Sequence, residues 1–513
     1  MKKPQVAGSS NWGRRLSVLL MVALILPFMG IMPAQAPTVA RVQPVLLQMA
    51  EAQPEARVSV IVQKMAKSTR VEEQVARLGG EVTADLHIIN AFAAELPGKA
   101  VPALARADGV RWVSLDAPMV KSACTQCVDT SRLKNAYVRT IGADRLWNTA
   151  PYLQGQGVSV AVVDSGINPQ QDLYTVMGVN RLVAAAAFNS GYNQSVYDGY
   201  GHGNHVAGIV GGNGSRSSGA FIGVAPMVNL INVKVSDDQG ASTTANVVRG
   251  LQWIKDNRNR YNIRVVNISL NSAAPESYHT NPLDAAVEIL WFNRIVVVVS
   301  AGNQGQGALY PPANDPFVIT VGATDDKGTD SVSDDGMASF SAYGTTTDGI
   351  AKPDLVAPGR NIVALMANPN SAVALAHPAN VVNQTYFRMS GTSMAAPMVS
   401  GAAALLLQDE PGLTPDQVKY RLKATANKSW PGYNATVAGA GYLDIYAAVL
   451  GTTTQSANTH INASRLLWTG GAPVTWGSVD WNSVDWNSVD WNSVDWNSVD
   501  WNSVDWNSDY WEP

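Results

Sequence analysis

Residues 158–166 read Val-Ser-Val-Ala-Val-Val-Asp-Ser-Gly, an apolar run that stops at an acid, a hydroxyl and a glycine. An apolar run of this length, rich in β-branched residues, is typical of a buried strand. Further apolar runs follow at 228–233, 264–270, 295–300 and 317–321, with helical stretches such as 244–256 and 282–292 between them. This alternation predicts an α/β fold, a parallel sheet with helices on both faces. In such sheets the reactive side chains gather at the carboxyl ends of the strands, and Asp164 directly follows the first run.

Two later segments carry the other residues of a possible catalytic triad. Residues 201–205 read Gly-His-Gly-Asn-His and residues 391–397 read Gly-Thr-Ser-Met-Ala-Ala-Pro. A serine hydroxyl is a poor nucleophile until an imidazole removes its proton, and the imidazole works best when a carboxylate fixes its tautomer. We therefore predict Ser393 as nucleophile, His202 as general base and then acid, and Asp164 as the residue that orients His202.

Each of these assignments has a plainer alternative. Ser393 precedes a helical run at 394–407 and could simply cap that helix, although a helix start there would also aim free N–H groups at developing negative charge. His205 competes with His202 for the role of base. A helix that begins near His202 would instead turn His205 inward as a core side chain.

The order Asp, His, Ser resembles that of the subtilisin-like serine proteases, and the resemblance extends through about residues 141–450. Further segments similar to that family are Gly223-Val224-Ala225-Pro226, Asn267-Ile268-Ser269-Leu270, Ser300-Ala301-Gly302-Asn303, Phe340-Ser341-Ala342-Tyr343-Gly344, the run at 352–359, and Gly441-Tyr442-Leu443-Asp444. The resemblance implies a subtilisin-like fold and hydrolysis of peptide bonds in proteins or peptides through an acyl-enzyme on Ser393. It implies no cofactor for the chemistry.

The resemblance also assigns two roles outside the triad. Asn303 matches the family's oxyanion-hole asparagine, although an asparagine between Gly302 and Gly305 could also be an ordinary turn residue. Asp172 matches a calcium-ligand position, with carbonyl oxygens available from the loop at 211–219. A solvated surface aspartate is the alternative, so structural calcium is a possible rather than a required cofactor.

Two positions depart from the family pattern. Asn204 stands beside His202 where the family usually has threonine, and we expect altered local hydrogen bonding with activity retained. Asn271 stands where the family often has glycine, in the segment Ser269-Leu270-Asn271 that is expected to pair with the substrate backbone. A larger side chain there is expected to narrow or polarise the pocket for the residue before the cut.

The N-terminal 36 residues have the layout of a secretory signal. Basic residues precede an uncharged stretch at 16–32, and Ala34-Gln35-Ala36 is a suitable cleavage site. This predicts a secreted, extracellular or envelope-associated protein. A membrane-spanning anchor is the alternative for residues 16–32, and Arg14-Arg15 raises a twin-arginine route that the neighbouring residues match poorly.

Residues 41–120 are predicted to form a small α+β domain of ferredoxin-like type. The order is strand (57–63), helix, two strands (81–96), a short helix and a closing strand (110–115), and Thr69 with Glu72 has capping-box spacing. Before a subtilisin-like domain, such a unit resembles the family's propeptide, which assists folding and then inhibits the enzyme. The protein would thus be a self-processing zymogen, with an independent accessory domain as the alternative.

The remaining segments are predicted to be a processing linker (121–140), the peptidase domain (141–452), a second linker (453–475) and a repeat tail (476–513). Cys124 and Cys127, the only cysteines, lie in a polar connecting stretch. They favour a local disulfide or idle thiols over redox chemistry.

The tail repeats Trp-Asn-Ser-Val-Asp and carries eight acids without a base. A period of five cannot keep the tryptophans on one face of a helix or a strand. The tail could form repeating turns, stack on envelope glycans, gather divalent ions, or be a low-complexity appendage. This leaves one alternative function, an inactive protease-like protein that binds the cell envelope. The net charge is only -4, and no basic field predicts nucleic-acid binding.

Overall fold

The computed structural model describes residues 41–117, 127–175, 177–189 and 195–467. The chain divides into two compact units, residues 1–123 and residues 124–513. Within the described ranges, no helix combines the length and the apolar character needed to cross a bilayer. The predicted signal at 1–36 and the repeat tail at 476–513 lie outside these ranges.

The first unit is an antiparallel sheet with helices. Its elements are α1 (Pro44–Ala52), β1 (Arg57–Lys64), α2 (Arg70–Arg77), β2 (Glu81–Leu86), β3 (Ala91–Pro97), α3 (Val101–Arg106) and β4 (Val110–Leu115). The strand order is β2-β3-β1-β4, and all three pairings are antiparallel. The predicted α+β unit is therefore confirmed.

Burial in this unit follows the sequence pattern. Val58, Val60 and Val62 alternate along β1 and are all buried, as are Val71 and Val75 of α2. Two details differ from expectation. Helix α1 was not predicted, and the capping box does not form, since the side chain of Thr69 makes no capping hydrogen bond.

The second unit contains the large sheet. Its strands are β5 (Ser159–Asp164), β6 (Leu182–Ala187), β7 (Asn229–Lys234), β8 (Ile263–Ile268), β9 (Val296–Ser300), β10 (Ile319–Asp325), β11 (Gly336–Met337), β12 (Gly344–Thr345), β13 (Ala351–Lys352), β14 (Leu355–Pro358), β15 (Ile362–Leu365), β16 (Val381–Val382) and β17 (Tyr386–Met389). Its helices are α4 (Tyr137–Thr140), α5 (Ala143–Asn148), α6 (His202–Gly211), α7 (Thr244–Asn257), α8 (Pro282–Phe292), α9 (Ala372–Ala376), α10 (Thr392–Asp409), α11 (Pro415–Ala424), α12 (Ala435–Ala438) and α13 (Ile445–Leu450).

Eight described strands form one sheet in the order β11-β10-β9-β8-β5-β7-β6, with β14 also paired to β10. The pairings are parallel except that of the short edge strand β11. Every residue of β5 and β9 is buried, because helices cover both faces of a parallel sheet. Helices α6 and α10 pack together, as do α7 and α8. The predicted α/β architecture is confirmed.

The cysteine pair is described at one of its two positions. Cys127 is disulfide-bonded, and Cys124, the only other cysteine of the sequence, lies outside the described residues. The bond agrees with the local disulfide that we predicted as one of two outcomes.

Candidate active site

Three strand ends position the candidate site. Asp164 is the last residue of β5, Ser269 directly follows β8, and Ser300 is the last residue of β9. Because β9, β8 and β5 are successive parallel neighbours in the sheet, their carboxyl ends lie at one edge. This is the edge at which α/β proteins place reactive groups.

Asp164 and His202 form a buried pair. The Nδ1 atom of His202 lies 2.8 Å from Oδ1 and 2.9 Å from Oδ2 of Asp164, and the two side chains are 0% and 1% exposed. An ionised carboxylate accepts from Nδ1–H, so the neutral imidazole keeps its lone pair on Nε2. This is the tautomer that a general base for a hydroxyl requires.

Glycine is required beside His202. A Cβ atom on Gly203 would lie 2.2 Å from the backbone oxygen of Gly166 and 3.1 Å from Oδ1 of Asp164. The start of α6 can therefore approach the end of β5 this closely only because residue 203 has no side chain.

Ser393 is the second residue of α10 and is 6% exposed. Its hydroxyl donates to the backbone oxygen of Ser269 at 3.3 Å, and the hydroxyl of Ser269 donates back to the backbone oxygen of Ser393 at 3.1 Å. Helix α10 packs against α6, which begins at His202. The fold thus brings together the helix that carries Ser393 and the helix that carries His202.

The amide of Asn303 is held by its oxygen. Its Oδ1 accepts from the backbone N–H of Thr392 at 2.8 Å and from the Thr392 hydroxyl at 3.0 Å. The same hydroxyl accepts from the backbone N–H of Gly302 at 3.0 Å. These two bonds fix the orientation of the Asn303 amide at the start of α10.

The two departures from the family pattern make defined contacts. Asn204 is fully buried, and its side chain bonds both the N–H and the C=O of Asn168, at 2.7 Å and 3.3 Å. Asn271 bridges to Ser300, donating to its backbone oxygen at 3.0 Å and accepting from its hydroxyl at 3.3 Å. Each asparagine is thus engaged with neighbouring chain segments.

His205 is a buried side chain that links two strands. Its Nε2 lies 3.1 Å from the backbone oxygen of Ile362 on β15 and 3.0 Å from that of Phe387 on β17. Burial, with a further contribution from His202, lowers the pKa of His205 to about 3. A histidine that stays neutral and bonds backbone oxygens has a structural role.

The residues around Asp172 do not fit a calcium ion. Its two carboxylate oxygens accept from the backbone N–H of Arg216 and from the hydroxyl of Tyr386, and burial raises its pKa. The guanidinium of Arg181 donates to the backbone oxygens of Asp172 and Gly211, at 2.8 Å and 2.6 Å. Calcium needs six to eight oxygen ligands, and here a cationic side chain takes the oxygens that it would use. The calcium assignment of Asp172 stays a prediction, which these contacts do not support.

No group of three acidic, histidine or cysteine side chains that could hold a metal occurs in the described parts of the chain.

Sequence reasoning missed two groups of site residues. Asp198 and Ser165 bond the start of α6 and the end of β5, and Thr392 holds Asn303. Thr392 and Ser165 are direct neighbours of predicted catalytic residues. A polar side chain within four residues of a reactive group was the available signal.

Both units of the chain resemble known families or proteins in sequence. Residues 155–445 match the model of the subtilase family, and residues 28–116 match that of a peptidase inhibitor domain. The serine protease AprX of Bacillus subtilis is 43% identical over 309 residues, which are 58% of this chain and 67% of AprX. An alkaline protease of Shouchella clausii is 31% identical over 371 residues, covering 71% of this chain and 83% of its own length. A crystal structure of a cold-adapted subtilisin-like serine proteinase is 30% identical, covers 57% of this chain and 90% of its own, and has a TM-score of 0.44.

The family model matches more than half of the chain, and the inhibitor-like domain precedes it as in a zymogen. The chain belongs to the subtilase family of serine endopeptidases.

Proposed function

We propose that Ser393, His202 and Asp164 are the catalytic triad of this endopeptidase. The observation that carries the proposal is the buried contact between Asp164 and Nδ1 of His202, at the start of a helix that packs against the Ser393 helix. For attack, the Ser393 hydroxyl turns from the Ser269 oxygen towards Nε2 of His202. The bond that it leaves is 3.3 Å long, and hydrogen bonds of this length are weak.

The reaction then follows from the roles of these groups. The Ser393 oxygen attacks the carbonyl carbon, His202 takes the hydroxyl proton, and the carbonyl electron pair moves to its oxygen. The tetrahedral intermediate expels the amine, which receives the proton from His202, and an acyl-enzyme remains. Water then attacks the ester, gives a proton to His202, and that proton returns to Ser393 as the acid leaves.

We assign the oxyanion hole to the NH2 group of Asn303 and the backbone N–H of Ser393. The Asn303 amide is fixed by Thr392, and Ser393 lies in the first turn of α10, where backbone N–H groups have no partner within the helix. Donors that are fixed before the reaction stabilise the developing charge without the cost of reorganisation.

We propose that Ser269, Leu270 and Asn271 bind the substrate backbone. Ser269 is already bonded to Ser393 in both directions, so this segment and the nucleophile are fixed relative to each other. The bridge from Asn271 to Ser300 links the segment to the end of β9. We expect it to narrow the pocket for the residue before the cut, and to exclude bulky side chains there.

We propose that the inhibitor-like unit, residues 41–120, is an intramolecular propeptide that is cut off within 121–140, and that residues 1–36 direct secretion. The match of residues 28–116 to an inhibitor domain supports the first part. N-terminal sequencing of the purified protein should find a new terminus between Asp116 and Ile141. The Ser393→Ala variant should stay uncleaved, and a mature wild-type protein that begins at Pro37 would contradict self-processing.

A serine-directed fluorophosphonate tests the nucleophile. The wild-type protein should be labelled and Ser393→Ala should not. Ser400→Ala is the matched control, because Ser400 lies in the same helix and is buried, with its hydroxyl bonded to Asn267. It should keep the label. Labelling that persists in Ser393→Ala would refute the assignment.

The alternative function, an inactive protein that binds envelope glycans, receives no support from the fold or the relatives. The tail that would carry it lies outside the described residues.

A further inference from the structure

A second buried carboxylate lies next to the proposed triad. Asp198 is 1% exposed and stands four residues before His202. Its Oδ1 accepts from the Ser165 hydroxyl at 2.8 Å and from the backbone N–H of Gly201 at 2.6 Å. Its Oδ2 accepts from the backbone N–H of Asn204 at 2.8 Å. The mechanism above uses none of these contacts.

Ser165 connects this carboxylate to Asp164. Its backbone N–H donates to Oδ1 of Asp164 at 2.7 Å. Its hydroxyl lies 2.8 Å from Asp198 and 3.2 Å from Asp164, and it also accepts from the backbone N–H of Gly203 at 2.9 Å. A hydroxyl has a single proton to donate, and the shorter distance favours Asp198 as its acceptor.

These bonds fix the helix start that carries His202. The first N–H groups of a helix lack partners within the helix, and here the N–H groups on either side of His202, those of Gly201, Gly203 and Asn204, are all bound by Asp198 or Ser165. A carboxylate at a helix N-terminus also interacts favourably with the helix dipole. The backbone of His202 is thereby held from both sides.

We propose that Asp198 is a positioning residue for the general base. It fixes the start of α6 and, through Ser165, the carboxylate of Asp164, so that both members of the buried pair keep their relative geometry during proton transfer. Its negative charge also stabilises the imidazolium that forms on His202. This inference rests on the proposed role of His202 as the base.

Among the described residues, few charged groups lie near Asp198. Asp164 on β5 and His202 on α6 are the titratable groups of the network. Asp238 lines the same surface cavity as Asp198 and is 61% exposed, and its carboxylate is paired with Lys234 on β7. Burial, with a contribution from Asp164, raises the pKa of Asp198 to about 6.

The test compares Asp198→Asn with wild type, using steady-state kinetics across pH and the rate of fluorophosphonate labelling. Misplacement of a catalytic group by about 1 Å can cost about a hundredfold, so we expect kcat to fall between about tenfold and a hundredfold while KM changes little. The acid limb of the kcat/KM profile should move to lower pH, since loss of a nearby negative charge lowers the pKa of the imidazolium.

The matched control is Asp238→Asn, a carboxylate of the same cavity that is bonded to Lys234 on β7 and not to α6, which should behave as wild type. Ser165→Ala serves as a second variant if Asp198→Asn fails to fold, and it should lower kcat and the rate of fluorophosphonate labelling, each by less than Asp198→Asn does. Dividing the activity of each variant by its number of fluorophosphonate-labelled sites restricts the comparison of kcat to folded enzyme. An unchanged kcat per labelled site and an unchanged acid limb would overturn the role of Asp198. Failure of wild-type labelling at Ser393 would instead overturn the proposed triad.

Discussion

Thr392 provides a quantitative test of the proposed oxyanion hole. Replacement by valine keeps the shape of the side chain but removes the hydroxyl that donates to Asn303 at 3.0 Å and accepts from Gly302 at 3.0 Å. The backbone N–H of residue 392 still donates to Asn303. Thr392→Val therefore removes one of the two bonds that Thr392 donates to the Asn303 amide and leaves the amide itself in place.

The size of the effect follows from that single bond. A neutral hydrogen bond contributes about 1 kcal/mol, and about 1.4 kcal/mol corresponds to a tenfold change in rate. We expect Thr392→Val to lower kcat about fivefold to tenfold. Asn303→Leu removes the donor itself and should cost about a hundredfold to a thousandfold, the range known for loss of this kind of donor in subtilisin, a relative of this chain. Neither change should raise KM strongly, because the donors act on charge that develops in the transition state.

The decisive measurement is a double-mutant cycle on a peptide anilide substrate. If Thr392 acts by holding Asn303, the change Thr392→Val should have almost no effect in the Asn303→Leu background. Equal losses in both backgrounds would refute the reasoning. Thermal unfolding is the control, because the N–H of Gly302 loses its acceptor and an unsatisfied buried group costs about 1–3 kcal/mol of stability. The kinetics must therefore be measured well below the unfolding transition of each variant.

Three further outcomes are expected. Arg181→Met should lower stability by at least about 2 kcal/mol because the buried backbone oxygens of Val228 and Gly211 lose their donor, and a Tm equal to that of wild type would contradict this. Burial raises the pKa of Asp416 to about 6, so its contribution to stability is greatest below about pH 4 and is lost as the pH rises through 6. The free energy of unfolding of wild type should therefore fall by about 3 kcal/mol between these pH values because of this group, and Asp416→Asn should lack that fall. Tm profiles from pH 4 to 7 that are identical for wild type and Asp416→Asn would count against it. Asn271→Gly should raise kcat/KM for bulky residues before the cut by about tenfold, which a peptide-library digest would detect, and an unchanged preference would show that the bridge to Ser300 does not shape the pocket.

The apolar runs of the sequence predicted the strands of the large sheet well, because a strand that is buried on both faces is apolar at nearly every position. The run at 158–163 became β5 at 159–164, and the helices at 244–256 and 282–292 were located within one residue. Helix α1 was missed although Leu46 and Ala50 are buried at helical spacing. The helix has only 9 residues, and an apolar repeat over so few residues does not distinguish a helix from a linker.

Hydrogen-bond partners were far less predictable than elements. Asp172 matched a calcium position by its distance from Asp164, but its environment depends on Arg181, Arg216 and Tyr386, the last more than 200 residues away. Asp198 offered only its place four residues before His202 as a signal, since a single aspartate before a glycine is typical of a loop. Its importance comes from two N–H groups, those of Gly201 and Asn204, and the Ser165 hydroxyl, which only the folded chain brings to it.

Pro397 shows how a local rule and the site chemistry combine. In a regular helix the backbone oxygen of Ser393 would accept from the N–H of residue 397, but proline has no N–H to donate. The oxygen is bonded instead by the hydroxyl of Ser269, whose own backbone oxygen accepts from the hydroxyl of Ser393. The Ser269 hydroxyl therefore replaces the missing helix bond and links the first turn of α10 to the segment proposed to bind the substrate backbone. A residue that normally weakens a helix here couples the position of the nucleophile to that of the peptide to be cut.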